Sequence, residues 1–284
     1  MKQWVVRQRQ RLWRGALDRY RLRPAFIIIG AQRAGTTSLY QYLVEHPRVL
    51  AARQKEVHFF DKNFGLGFEW YRRQFPPAWP GILAAKRRLI TGEATPYYLM
   101  HPLAAGRVRQ TLPNVRLIVL LRHPVDRAYS HYQLEVRLGR ETLAFEDAID
   151  REPERLRDEA DRIRSMPDYT SENLQHYSYL TRGVYVDQLQ PWMDFFPKEQ
   201  LLILKSEDFY ANPRATVHQV YEFLGLPRWD QDEYRPLNVA SYRDMDPATR
   251  SRLLAYFEPH NQRLYRFMGV DWVWTEAERQ AITP

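Results

Sequence analysis

The run Phe26-Ile27-Ile28-Ile29 stops at Gly30, passes through Ala31-Gln32-Arg33-Ala34-Gly35 and restarts at Thr36-Thr37-Ser38 as the opening of a helix. Four apolar residues, three of them β-branched, ending at a glycine predict a buried strand, and the restart predicts a helix laid back against it. Gly30 and Gly35 permit a tight turn and a close approach of backbone to a ligand. The N–H groups that open the helix, with the hydroxyls of Thr36, Thr37 and Ser38, then offer donors to an anion. The bland alternative is a β-to-α turn with no ligand; the strand before it and the hydroxyl cluster after it argue against that.

A nucleotide triphosphatase places lysine directly after the second glycine of such a loop, where its ammonium reaches the β- and γ-phosphates. Here that position is Thr36, and the cation inside the loop is Arg33. The expected ligand is therefore phosphorylated but is not a Mg-bound triphosphate. A second aliphatic run, Val115 to Leu121, ends in Arg122-His123-Pro124, where a triphosphatase strand would end in an aspartate supporting Mg²⁺. Arg122 and Ser130 stand eight residues apart, at a strand end and in the helix after it. A guanidinium and a hydroxyl so placed can grip a second phosphate of the same ligand. Taken alone, Arg122 reads as a surface salt-bridge partner; its pairing with Ser130 makes it a site candidate.

Strands read at 26–29, 49–51, 89–95, 115–121 and 201–204 alternate with helices at 36–45, 125–138, 185–192, 213–224 and 247–268. The near-continuous aliphatic runs are those of strands covered on both faces. The fold class is α/β, a doubly wound, mostly parallel sheet carrying a phosphate loop. Lys55-Glu56-Val57-His58-Phe59-Phe60-Asp61 nearly alternates polar and apolar residues, which predicts an extended segment with Glu56 and His58 on one face and Val57 and Phe59 on the other. Phe64 to Trp79 is expected to wrap one end of the sheet as helix and loop. Phe145 to Arg164 is expected to form a solvated helix, with Arg155/Glu159 and Asp158/Arg162 paired at i,i+4.

The net charge of +8 matters less than its location. Residues 1–23 hold Lys2 and seven arginines against Asp18 alone, so all but one unit of the charge lies there. This predicts a basic amphipathic arm over 1–23 and a single domain over 24–284, with no nucleic-acid partner. Val5, Leu12, Trp13, Ala16, Leu17 and Tyr20 recur at helical spacing among the arginines. The pattern suits either an anionic membrane surface or a helix packed on its own domain. The chain has no cysteine, which excludes disulfides, thiol catalysis and cysteine-based metal sites. With no N-x-[ST] sequon and no 18-residue apolar segment, a cytoplasmic location is expected, with peripheral membrane contact confined to residues 1–23.

Taken together in this order, the motifs resemble those of sulfotransferases that use 3′-phosphoadenosine 5′-phosphosulfate (PAPS). Gly30 to Ser38 resembles the family's 5′-phosphosulfate loop, with Arg33 where lysine is usual. Leu121-Arg122-His123-Pro124 through Ser130 resembles its 3′-phosphate motif. Lys55 to Asp61 is similar to the active-site segment of the heparan sulfate branch, and the likeness runs over roughly residues 25 to 270.

The resemblance implies a sulfotransferase fold related to phosphate-loop triphosphatases, PAPS as co-substrate, the 3′,5′-bisphosphate (PAP) as product, and no metal. It implies transfer of a sulfuryl group to a hydroxyl or amine of a sugar, polysaccharide or small alcohol. It assigns donor binding to Arg33, Ala34, Gly35, Thr36, Thr37, Ser38, Arg122 and Ser130, and to Tyr242 and Arg243 as the nearest substitute for the family's C-terminal cofactor loop. It makes Glu56 the general base, His58 the group that orients the acceptor or shares its proton, and Arg33 the stabiliser of the leaving oxygen. The rival readings are a kinase using ATP and Mg²⁺, which Thr36 and Arg122 disfavour, and a non-enzymatic adaptor acting through the basic arm.

Overall fold

The structure is a computed structural model that describes residues 21–77, 89–235, 237, 243–270 and 272–274. β1 (Phe26–Gly30) is the middle strand of its sheet, and Phe26 to Ile29 are wholly buried. The chain continues through α1 (Thr36–Glu45), β2 (Val49–Ala51), α2 (Gly67–Arg72), β3 (Ile90–Ala94), α3 (Ala104–Thr111), β4 (Arg116–Leu121) and α4 (Pro124–Arg137). Four short helices follow: α5 (Phe145–Asp150), α6 (Glu152–Arg155), α7 (Glu159–Ser165) and α8 (Glu172–His176). Then come α9 (Tyr185–Phe195), β5 (Leu201–Lys205), α10 (Ser206–Ala211), α11 (Pro213–Leu224) and α12 (Pro247–Met268).

The strands are parallel in the order β2-β3-β1-β4-β5, the α/β sheet expected from the sequence. Helices α1, α11 and α12 keep the boundaries read from the sequence. For α11 and α12 the start is fixed chemically: Asn212 Oδ1 accepts the N–H of Ala215, and Asp246 Oδ1 accepts those of Ala248 and Thr249. α1 has no such side-chain cap and no acidic residue in its first turn, so its opening N–H groups face the loop uncovered by its own sequence.

The topology decides where a ligand can sit. From β1 the chain proceeds toward β2 on one side of the sheet, and from β4 toward β5 on the other. The loops that leave these adjacent strands therefore diverge and open a crevice at their C-terminal ends. The Gly30 loop and the Arg122 turn form its two lips.

Two expectations are corrected. Residues 55–61 are not extended, because Glu56 and His58 take left-handed φ values of 63° and 53° and the chain turns at each. The segment has no partner strand; it is pinned by Glu56 N–H on the Ala94 carbonyl (3.0 Å) and Phe59 N–H on the Tyr98 hydroxyl (2.8 Å). Residues 145–164 form α5, α6 and α7, since Pro153 and the left-handed Asp158 interrupt a continuous helix. The predicted i,i+4 pairs do not form. Arg155 instead reaches Glu141 (2.5 Å), Arg162 pairs with Glu159 (3.0 Å), and these glutamates, like Glu152, are buried rather than solvated.

Of the predicted basic arm, residues 1–20 lie outside the described residues, as does Trp79 of the aromatic stretch. Arg21 and Leu22 are held against residues 75–76, Arg21 Nη1 donating to the Phe75 carbonyl (2.7 Å) and Leu22 N–H to that of Pro76 (3.0 Å). No described helix is long and apolar enough to cross a membrane.

Candidate active site

The Gly30 loop turns sharply enough that Arg33 and Gly35 both take positive φ, 70° and 91°. Glycine at 35 is also required by space, because a Cβ there would lie 2.8 Å from the Tyr210 hydroxyl. The loop is braced from behind: the Ala34 carbonyl accepts the Ser206 hydroxyl (2.8 Å), and Ala31 N–H donates to the Leu120 carbonyl of β4 (2.8 Å).

Arg33, Arg122 and Ser130, placed on three different elements, come together here. Arg33 Nε donates to Ser130 Oγ at 3.0 Å, and Arg122 Nη1 donates to the Arg33 carbonyl at 3.2 Å. The Tyr185 hydroxyl in turn holds the Arg122 carbonyl (2.7 Å), and Glu207 holds the N–H of His123 (2.8 Å). Thr36 is buried at the start of α1 and Thr37 is partly exposed beside it. The Ser38 hydroxyl is already engaged, accepting the N–H of Leu237 at 2.9 Å. Arg243 is exposed, and its carbonyl accepts the Tyr129 hydroxyl (2.9 Å); Tyr242 lies outside the described residues. Two guanidinium groups, a hydroxyl and an uncapped helix start are the donor chemistry of a polyanion site.

Glu56 and His58 meet through their turns rather than across a strand face. Glu56 Oε1 accepts Lys55 Nζ at 2.6 Å, while Oε2 lies 3.4 Å from His58 Nε2. His58 Nδ1 lies 2.6 Å from Oδ2 of the buried Asp61. Burial pushes against ionisation of both partners and is overcome. His58 and Lys55 hold the Glu56 carboxyl down at about 2, and Asp61 and Glu56 hold the His58 imidazole up at about 9. The result is a carboxylate–imidazolium–carboxylate row whose Glu56 end is 42% exposed.

Several side chains that hold this row in place carried no sequence signal of their own. Glu93, at the end of β3, is 0% exposed, and burial pushes its carboxyl up to about 7. It accepts the Tyr71 hydroxyl (2.6 Å) and the Thr95 hydroxyl (2.7 Å), and lies 3.4 Å from the Tyr98 hydroxyl that receives Phe59 N–H. Arg107 of α3 donates to the carbonyls of Phe60 (2.9 Å) and Asp61 (3.2 Å). Phe59 stacks on Tyr71 at 4.5 Å, and Phe60 meets Tyr98 edge-on at 5.4 Å. Burying two phenylalanines contributes about 1.5–3 kcal/mol each, which offsets a cost of about 1–3 kcal/mol for each left-handed turn.

Arg182, likewise not singled out in the sequence, braces the phosphate loop instead. It is buried, donates to the Gln32 amide oxygen in the phosphate loop, and binds the carbonyls of Leu174 (2.8 Å) and Gln175 (2.9 Å). The glycine that follows it was the available clue: a Cβ at Gly183 would lie 2.7 Å from the Phe257 ring and 3.2 Å from Pro124 Cβ. Only glycine lets that turn pack against the start of α4.

Fold and side chains define a phosphate-loop α/β protein with a cluster of Arg33, Arg122 and Ser130 at the ends of β1 and β4 and a separate row of Glu56, His58 and Asp61. A family model described as the sulfotransferase domain matches residues 23–252. The chain belongs to the sulfotransferase family. It is similar to the crystal structure of a sulfotransferase from Alicyclobacillus acidocaldarius, with a TM-score of 0.67 and 31% identity, covering 90% of this chain and 99% of that one. Membrane-associated sulfotransferase kil1 of Dictyostelium discoideum is 26% identical, over 88% of this chain and 66% of that protein. Heparan sulfate glucosamine 3-O-sulfotransferase 6 of Mus musculus is 26% identical, over 88% of this chain and 73% of that protein. The chain thus spans just under two thirds of kil1 and somewhat more of the mouse protein.

Proposed function

We propose that the protein transfers a sulfuryl group from PAPS to a carbohydrate hydroxyl, with Glu56 as the general base. The observation that carries this reading is the placement of strain. Among the described residues, four that are not glycine have positive φ, and three of them are Arg33, Glu56 and His58. Backbone strain persists where surrounding structure over-determines it, and it concentrates at functional sites.

Bound PAPS supplies the sulfuryl group and leaves as PAP. The residues assigned to hold its two charged ends are Arg33 with the opening of α1, and Arg122 with Ser130. Arg33, fixed by Ser130, offsets the charge that builds on the leaving oxygen. Glu56 takes the proton of the acceptor hydroxyl as that oxygen bonds to sulfur. Because His58 and Lys55 hold Glu56 at about 2, it is a weak base toward a free alcohol. Proton transfer therefore comes late, once bonding to sulfur has made the hydroxyl acidic. His58, clamped by Asp61, keeps Glu56 ionised and aimed.

A carbohydrate acceptor is favoured by the relatives named heparan sulfate glucosamine 3-O-sulfotransferases, which match 88% of this chain. The test is incubation with PAPS and a panel of glucosamine-containing oligosaccharides, simple alcohols and phenols, read by mass spectrometry. The expected result is gain of one sulfuryl group on an oligosaccharide hydroxyl. Sulfation of only the phenols or simple alcohols would overturn the acceptor assignment, and no transfer to any class would overturn the reaction.

A further inference from the structure

Arg127 has no part in the chemistry described so far, yet it is among the most enclosed charges in the protein. It lies in the first turns of α4 and is 0% exposed. Its Nη2 donates to the Tyr179 carbonyl, whereas its buried Nε and Nη1 have no hydrogen-bond partner among the described residues. Glu152, the acid that interacts with it, spends both carboxylate oxygens on the N–H groups of Leu180 (2.6 Å) and Thr181 (2.7 Å). Burial pulls the Arg127 guanidinium down to about 10; Tyr185 and Glu152 push it back up, while the cations Arg122 and Arg33 pull it down with burial. A buried charge with two unpartnered donor nitrogens, and with like charges as well as an acid around it, costs stability unless something further compensates it.

Its place on the helix shows what would compensate it. Arg127 and Ser130 are i,i+3 neighbours on α4, and Ser130 Oγ is the group that receives Arg33 Nε. Arg127 thus lies one turn of α4 from Ser130, buried and within electrostatic reach of Arg33 and Arg122. A charge there acts through a poorly polarisable interior, where attraction to an anion reaches further than in water.

We propose that Arg127 is a positioning residue for the donor, a buried cation one turn of α4 from Ser130 whose charge is compensated when the donor's phosphates fill the crevice. This rests on the reading of that crevice as the PAPS site. The competing role is a clamp that only holds the Tyr179 carbonyl, and the two roles differ in sign. A clamp stabilises the ligand-free fold, so losing it lowers both melting temperature and affinity. A charge that awaits an anion burdens the ligand-free fold, so losing it weakens binding and leaves the melting temperature unchanged or higher.

The test compares wild type, Arg127→Met and Arg127→Lys by ligand-free thermal melting, by calorimetric PAP binding, and by the KM for PAPS and for acceptor. Arg127→Met is expected to bind PAP about tenfold more weakly, equivalent to about 1.4 kcal/mol. Its KM for PAPS should rise while that for acceptor stays put, and its ligand-free melting temperature should not fall. Arg127→Lys should recover most of the affinity, since charge and not fork geometry is what acts. Wild-type PAP affinity in Arg127→Met would overturn the inference, as would a lowered ligand-free melting temperature or failure to fold. Absence of PAP binding by the wild type would overturn the donor-site reading and this inference with it.

Discussion

Arg33 and Ser130 are 97 residues apart in sequence, and their side chains meet at 3.0 Å in the crevice between β1 and β4. The contact joins the phosphate loop to the helix after β4, so that one ligand can be gripped from both lips. Ser130→Ala removes a hydrogen bond to a charged group and should weaken PAP binding about tenfold, in line with about 1.5–3 kcal/mol for such a bond. Arg33→Lys keeps the charge but loses the fork that reaches Ser130, and should bind PAP more weakly than wild type but more tightly than Arg33→Ala. Calorimetry on the three variants checks that ranking.

Glu56→Gln keeps the shape of the side chain and removes its capacity to take a proton. Turnover should fall about 10²–10⁴-fold, the range expected for loss of a general base. PAP affinity should stay within about twofold, because the side-chain partners of Glu56 among the described residues are Lys55 and His58 and not the donor-site arginines; a parallel loss of affinity in calorimetry would mean that Glu56 holds the donor site together instead.

His58 makes stability depend on alkaline pH. Its imidazole is held at about 9 by Asp61 and Glu56 against the pull of burial. The folded state therefore binds this proton more tightly than the unfolded chain. The stabilisation is fully present below the ordinary imidazole range and is lost as pH rises through about 9. Wild-type melting temperature should decline across that window, and His58→Gln should decline less; identical slopes would show that the ion pair does not set this dependence.

The sheet, its order of elements and the pairing of Arg33 with Arg122 and Ser130 were legible because each left a local mark. The marks were a β-branched run ending in glycine, an arginine at a strand end, and a hydroxyl one helix later. Glu56 and His58 were also legible, but for an incomplete reason: their alternation with Val57 and Phe59 comes from two left-handed turns anchored by buried aromatics, not from a strand. Glu93, Arg107, Arg127 and Arg182 were not legible. Their partners are backbone carbonyls, N–H groups and hydroxyls tens of residues away, and such contacts leave no spacing to read. The break of 145–164 into three helices was partly visible in Pro153, but the burial of Glu141, Glu152 and Glu159 depends on arginines and turns brought in by the fold.

Glu93 is the buried carboxylate that anchors the 57–61 turns through Tyr98. Burial raises its carboxyl to about 7, so the fold binds this proton more tightly than the unfolded chain does. Stability from this source is lost as pH rises from the ordinary glutamate range through about 7. Glu93→Gln cannot titrate, and its melting temperature should vary less over that interval than that of wild type. An equal dependence in both proteins would show that Glu93 stays ionised in its pocket.

The ligand of the Gly30 crevice is tested most directly by a calorimetric titration of the wild-type protein with PAP without added metal, against ATP with Mg²⁺. The expected result is saturable one-to-one binding of PAP, lost or strongly weakened in Arg122→Ala, with far weaker binding of ATP–Mg. Tight binding of ATP–Mg with none of PAP would contradict it.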